Sequence, residues 1–225
     1  MAITELSHYQ QAILLLASLI VLTSFLMLGQ SRLLRLVFIF AVQGILLAIT
    51  TALAADVLDS PHLYISALLT LTLKGIFIPI MLQRLILNMG LHRDMETLPN
   101  PARVMMGGTG LVVFSYYVCL PIVKLSPLIT LNTIAISMAV VLLGMLLMIT
   151  RRQAVAHVVG FMSIENGLFF AAVVSTYGMP MVVELGIAFD VLVAAVLFGV
   201  FFFHIRSSID SLDVDQLNRL NEVEK

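Results

Sequence analysis

The sequence is short of charge. Only 11% of its 225 residues are Asp, Glu, Lys or Arg, against about 25% in an ordinary soluble domain. With 60% hydrophobic residues and a mean hydropathy of +1.08, a soluble chain of this length would need an unusually large core. The composition is that of an all-α, polytopic integral membrane protein. Cysteine is nearly missing too. The single Cys119 excludes an intrachain disulfide and any cysteine cluster for zinc or iron–sulfur; inside an apolar run it reads as a small core residue. The net charge is −1 and there is no basic stripe to neutralise phosphates, so no nucleic-acid surface is expected. The N-terminal MAITELSHYQQ lacks the basic stretch and small-residue cleavage site of a signal peptide. The first apolar run is therefore expected to be a retained span.

What the chain has instead is a series of apolar runs of bilayer length. About 20 apolar residues cross the hydrocarbon as a helix, and seven such runs are present, roughly 9–28, 33–54, 63–87, 104–123, 127–149, 154–176 and 179–204. Pro121, Lys124 and Pro127 mark a very short turn between the fourth and fifth. Gly107, Gly108 and Gly110 offer the fourth run a place for close helix contact. Seven spans put the termini on opposite faces. One face would carry Arg32, Arg35, Arg84, Arg93, Arg103, Arg151, Arg152, Arg206, Arg219 and Lys225, and the other only Lys124. Cytoplasmic loops carry the excess of basic residues, so the expected orientation is N-terminus outside, C-terminus in the cytoplasm.

The functional signal lies where charge intrudes on these runs. Glu165 and Asp190 each interrupt an apolar span near its middle, where a carboxylate costs roughly 2.5–3.5 kcal/mol on insertion scales. Lys74 holds the same depth in the third span and Gln43 in the second. Desolvation drives a carboxyl toward neutrality while a nearby cation drives it toward ionisation. A lysine and a carboxylate at one depth can thus exchange a proton or remain a structural ion pair. Gln43 and Asn166 can hold water or lend hydrogen bonds without carrying charge, and Thr70 and Thr72 offer hydroxyls nearby. Glu184 lies about 9 Å from Asp190 along the axis, toward the outer face and about 240° around the helix, so it faces other neighbours. His157 lies about 12 Å to the cytoplasmic side of Glu165; it reads either as an inward proton relay or as an interfacial histidine capping its helix. We expect a proton pathway through Glu165, Asp190, Lys74, Glu184, Gln43, His157 and Asn166, with no catalytic, cofactor-binding or metal site in this chain.

A weak internal repeat accounts for the common depth. Spans two and three, with a preceding helix and basic turn (SRLLR), look like spans six and seven with theirs (TRRQ). In that alignment Gln43 takes the place of Glu165 and Lys74 that of Asp190, and both copies run in the same direction. The organisation expected is a three-helix unit over 1–103, a linking span over 104–126, a second three-helix unit over 127–206, and an acidic cytoplasmic tail over 207–225. The tail's stripe of Ile209, Leu212, Leu217, Leu220 and Val223 would suit docking of a soluble partner.

The stretch MSIENGLFF, followed by VVELGIAFDVL and SLDVDQLNRL, resembles membrane component E of hydrogenase-4. That component belongs to the membrane arm of proton-translocating group 4 nickel–iron hydrogenases and formate hydrogenlyases. The C-terminal part is more remotely similar to the K-type subunit of respiratory complex I and the C-type subunit of multi-subunit cation/proton antiporters. In those relatives a helix, an arginine-bearing turn and two carboxylate-bearing helices form one unit, here matched by the fifth span, Arg151–Arg152, Glu165 and Asp190. Three departures stand out: the interval from the basic pair to Glu165 is about one turn longer, the second carboxylate is Asp, and the loop between spans six and seven is shorter. The resemblance implies a bacterial or archaeal inner-membrane subunit without redox chemistry of its own. Nickel–iron and iron–sulfur centres would lie in partner subunits, and this chain would join the quinone-site-type and redox subunits to antiporter-like ones. A stand-alone secondary transporter and a scaffold with purely structural buried charges are the alternative readings.

Overall fold

The computed structural model describes residues 8–58, 61–88, 101–121, 128–175, 186, 188–197 and 199–200. It is helical, with no strand among the described residues. Helix α1 spans His8–Leu28, α2 Leu33–Leu58, α3 Pro61–Thr70, α4 Ile78–Asn88, α5 Pro101–Cys119, α6 Leu128–Thr150 and α7 Ala154–Ser175. A shorter apolar helix, α8, covers Ala188–Leu197. Proline opens α3 and α5, the position where its missing N–H has no intrahelical partner to lose. Six helical stretches are long and apolar enough to cross a membrane, with α3 and α4 counting as one. Their bounds match the first six expected runs to within a few residues. Of the seventh, only the α8 segment and its immediate neighbours are described; the rest of 179–204, the loop around Lys124 and the tail lie outside the described residues.

One expectation is corrected. The run 63–87 is not a plain α-helix. Between α3 and α4 the backbone widens into a π-helical segment, Leu71–Phe77, and the N–H of Ile78 donates to the carbonyl of Leu73, five residues back. Lys74 lies inside that segment. Such π turns are rare and interrupt α-helices at one turn's length.

The helices form two rows. α1, α2 and the α3–α4 span pack side by side; α6, α7 and α8 form the other row. Across the rows α1 meets α6 and α2 meets α7, while Lys74 in the first row reaches Asp190 in the second. The facing helices run in the same direction. The Arg151 guanidinium, just past the end of α6, donates to the carbonyls of Leu28 (3.1 Å) and Gln30 (2.5 Å) at the end of α1. Two copies related by an axis along the membrane normal would pack in this way. Helix α5 stands outside the rows, against α6 and α1, and is the least buried of the six.

Along the bundle axis the core is layered. One apolar cluster joins the end of α1 (Met27, Leu28) to the starts of α2 (Leu33, Leu36, Val37, Phe40) and α7 (Val155, Ala156, Val159). The second joins the first two-thirds of α1 (Ile13, Ala17, Ile20) to the second halves of α2 (Leu47, Ala54, Ala55) and α7 (Phe169, Phe170, Val173). Between them lies the polar layer described below. Lipid is as apolar as leucine, so close packing rather than water exclusion must hold the helices. The tightest seam is α6 on α7. A β-carbon on Gly144 would lie 2.9 Å from the Gly160 carbonyl oxygen, and one on Gly160 would lie 2.6 Å from Met148 Cγ.

Candidate functional site

The polar layer is built from four elements. Helix α2 supplies Gln43, the π-helical segment Lys74, α7 Glu165 and Asn166, and α8 Asp190. Gln43, Lys74, Asn166 and Asp190 are 0% exposed. The α2 backbone approaches the π-helical segment closely because residue 44 is glycine: a β-carbon there would lie 2.9 Å from the Lys74 carbonyl carbon and oxygen. That contact fixes where the lysine leaves its helix.

Lys74 is shared by two carboxylates. Its Nζ donates to Glu165 Oε2 and forms an ion pair with it. The same Nζ lies 3.3 Å from Asp190 Oδ1 and 5.2 Å from the centre of the Phe169 ring, within reach of a cation–π contact. The charges do not balance: two carboxyl groups surround one ammonium, so one negative charge must be met by a further cation or by a bound proton. Nor do the hydrogen bonds balance. Glu165 Oε1, Asp190 Oδ2, Asn166 Oδ1, Thr70 Oγ1 and Ser163 Oγ are buried with no protein partner. Buried polar groups in folded proteins are nearly always bonded, so this concentration of spare oxygens needs a function to explain it. A group of this kind can take up, hold and release a proton as its surroundings shift.

The amides form a second, fully directed chain. Asn166 Nδ2 donates to Gln43 Oε1 at 3.0 Å, and Gln43 Nε2 donates to Ser24 Oγ at 2.7 Å. Ser24 in turn donates to the carbonyl of Ile20 at 3.0 Å. That carbonyl can only accept, which fixes the orientation of both amides. The layer thus runs from α8 through the triad and the amide pair to α1.

Of the residues expected in the path, Lys74, Glu165 and Asp190 meet directly, and Gln43 and Asn166 meet each other beside them. Across the two rows Gln43 meets Asn166. His157 is not brought into the cluster; its Nδ1 lies 3.0 Å from the Gln153 carbonyl at the start of its own helix. Glu184 lies outside the described residues. Thr72 donates to the carbonyl of Leu68 on its own helix. Sequence reasoning missed Ser24, Ser163 and Phe169; the matching dipeptides QG and NG at equal depth were the signal for the amide contact. Cys119 is a buried free thiol packed near Ala135, as a core residue should be. Of the α5 glycines, Gly108 meets Leu28, Phe25 and Leu143, whereas Gly107 and Gly110 meet nothing within 4 Å.

Comparison with known proteins gives one informative relative. The chain is 31% identical over 205 residues to the uncharacterized protein Rv0085 of Mycobacterium tuberculosis, covering 90% of this chain and 93% of that one. No family model matches the sequence, and no solved structure matches it.

Proposed function

The chain belongs to the family of the mycobacterial protein Rv0085, and we propose that it is a membrane-arm subunit of a proton-translocating group 4 nickel–iron hydrogenase, akin to formate hydrogenlyase. In this reading Lys74, Glu165 and Asp190 carry the proton between neighbouring subunits, and Gln43 and Asn166 hold the layer together without charge. Glu184 and His157 serve as the flanking groups on the outer and cytoplasmic sides. The redox centres reside in partner subunits, and this chain links them to antiporter-like subunits in a bacterial or archaeal inner membrane. One observation carries the proposal: a single buried ammonium shared by two carboxyl groups, with spare oxygens around it, between two apolar layers. A purely structural pair would need one carboxylate and few unsatisfied atoms.

The full topology belongs to the same proposal: seven crossings, N-terminus outside, C-terminus cytoplasmic. It is supported by the grouping of basic residues at one end of the bundle. Arg32 and Arg35 lie at the start of α2, Arg103 at the start of α5, and Arg151 and Arg152 before α7.

The π-helical break at Lys74 favours a second reading, a stand-alone secondary transporter, because interrupted helices at mid-depth hold substrates in such proteins. Native purification separates the two. A complex subunit emerges with larger membrane proteins and nickel–iron or iron–sulfur proteins. A transporter emerges alone or as a homomer, and that result would overturn the proposal.

A further inference from the structure

Most buried hydroxyls in the bundle are satisfied by their own helices. A serine or threonine in an apolar helix can donate to a carbonyl three or four residues back. Thr50, Thr51, Ser66, Ser115 and Ser137 do so, at 2.7–3.1 Å. Thr70 and Ser163 depart from that habit. Both are 0% exposed, and neither hydroxyl has a protein partner. Both also border the polar layer. Ser163 precedes Asn166 by three residues on α7, and Asn166 Oδ1 is equally unpartnered. Thr70 closes α3 one turn before Lys74, where the π-helical segment begins, and its side chain caps no N–H of that segment. A helical side chain leans over the turn that precedes it. Lys74 therefore reaches back over Thr70, and its Nζ gathers Glu165 and Asp190 at that level. Asp190 Oδ2 is buried there with no protein partner either.

We propose that Thr70 holds a buried water against the free oxygen of Asp190, and that hydroxyl and water pass protons between the triad and the membrane face opposite the arginines. This step rests on the proton-pathway reading above and gives it a direction. Helix α3 starts at the end of the bundle away from Arg32, Arg35 and Arg151, and Leu63 near its start belongs to the apolar cluster at that end. Thr70 thus lies on the far side of Lys74 from the arginines. A buried water needs two or more polar partners, and a hydroxyl and a carboxyl oxygen supply them. Hydroxyl and water both donate and accept. A proton leaving Asp190 forms one O–H bond on the water as another breaks toward Thr70, so no charge is stranded on the way. Ser163 differs in what it faces. It lies about 200° around α7 from Glu165 and beside an amide, which holds water without passing a proton.

The test pairs thermal unfolding of the full-length protein in detergent with proton movement by the native assembly in sealed vesicles. Valine keeps threonine's shape without its hydroxyl. Deleting an orphan hydroxyl leaves the fold as stable or more so, whereas deleting one that holds a water loses a hydrogen bond. Thr70→Val should lower the unfolding midpoint by about 2–4 °C. Thr50→Val, whose hydroxyl serves only its own helix, should change it less. In vesicles Thr70→Val should cut proton movement about fivefold at unchanged hydrogen evolution, the rate equivalent of one lost hydrogen bond. Thr70→Ser should restore it, and Ser163→Ala should leave it intact. Should Thr70→Val fail to assemble, Thr70→Ala carries the same comparison, with Thr70→Ser again as the rescue. An unchanged or raised midpoint in Thr70→Val overturns the proposal. So does full proton movement in that variant when Glu165→Gln abolishes it. Full proton movement in both variants overturns instead the pathway reading on which the step rests.

Discussion

Two buried cations in this protein are neutralised by opposite means. Arg151, at the basic end of the bundle, is 5% exposed and answered by backbone: its guanidinium donates to the carbonyls of Leu28 and Gln30. The Leu28 carbonyl, at the end of α1, carries the partial negative charge that a helix C-terminus leaves unsatisfied. Burial lowers the arginine's pKa, but from so high a starting value that it remains a cation. The two carbonyls themselves cannot titrate. Lys74, at mid-depth, is answered by two ionisable carboxyl groups, one more than its charge requires. The first clasp holds α1 to the turn between α6 and α7. The second joins the α3–α4 span to α7 and α8, and its surplus gives it more than one protonation state. Only the second has the means to carry a proton.

Replacing the cations separates these roles most sharply. Lys74→Met leaves two facing carboxyl groups in an apolar bundle, and uncompensated buried charge costs about 3–5 kcal/mol. Thermal unfolding in detergent should show the largest loss of any single change here. The triple variant with Glu165→Gln and Asp190→Asn should recover most of it, since all three charges are then gone. Arg151→Met strips two carbonyls of a charged donor, at about 1.5–3 kcal/mol. Neutralising Glu165 or Asp190 should restore none of that loss, because the clasp does not touch them. A recovery would collapse the distinction between the two cations.

The amide pair lies between the two extremes. Gln43→Leu unpairs Asn166 Nδ2 and Ser24 Oγ, worth about 1–3 kcal/mol. The double change with Asn166→Leu should cost less than the sum of the singles, as expected for partners in one network. The smallest effect belongs to a face that neither clasp reaches: Gly107→Ala and Gly110→Ala, with open space beside each, should shift stability by no more than about 0.5–1 kcal/mol, in the stabilising direction that helix propensity favours.

Much of the layer was legible in the sequence because hydrocarbon makes each polar intrusion conspicuous. Lys74, Glu165 and Asp190 interrupt runs of Leu, Ile and Phe, and rise per residue alone puts them at a common depth. The apolar runs also gave six helical stretches close to their observed bounds. What sequence could not give was which neighbour each polar group would choose. LTLKGIF carries a lysine and a glycine, but neither marks a π turn rather than an α turn; its widening accompanies a tertiary contact, the bare Gly44 pressed against the Lys74 backbone. The Gln43–Asn166 hydrogen bond is likewise a matter of which helices come to lie side by side. Arg151 counted as loop charge for topology, and its burial against a different helix end depends on packing 121–123 residues away. Periodicity reports depth and face; partner choice is set by three-dimensional closeness.

The central claim is that the carboxyl surplus around Lys74 serves proton movement. It is tested most directly by reconstituting the native assembly in sealed vesicles and comparing wild type with Glu165→Gln. The account predicts that the variant assembles and evolves hydrogen from an artificial electron donor at an unchanged rate, while the accompanying proton movement across the membrane is lost or sharply reduced. Full proton movement in the variant, at the wild-type ratio to hydrogen evolved, would contradict it.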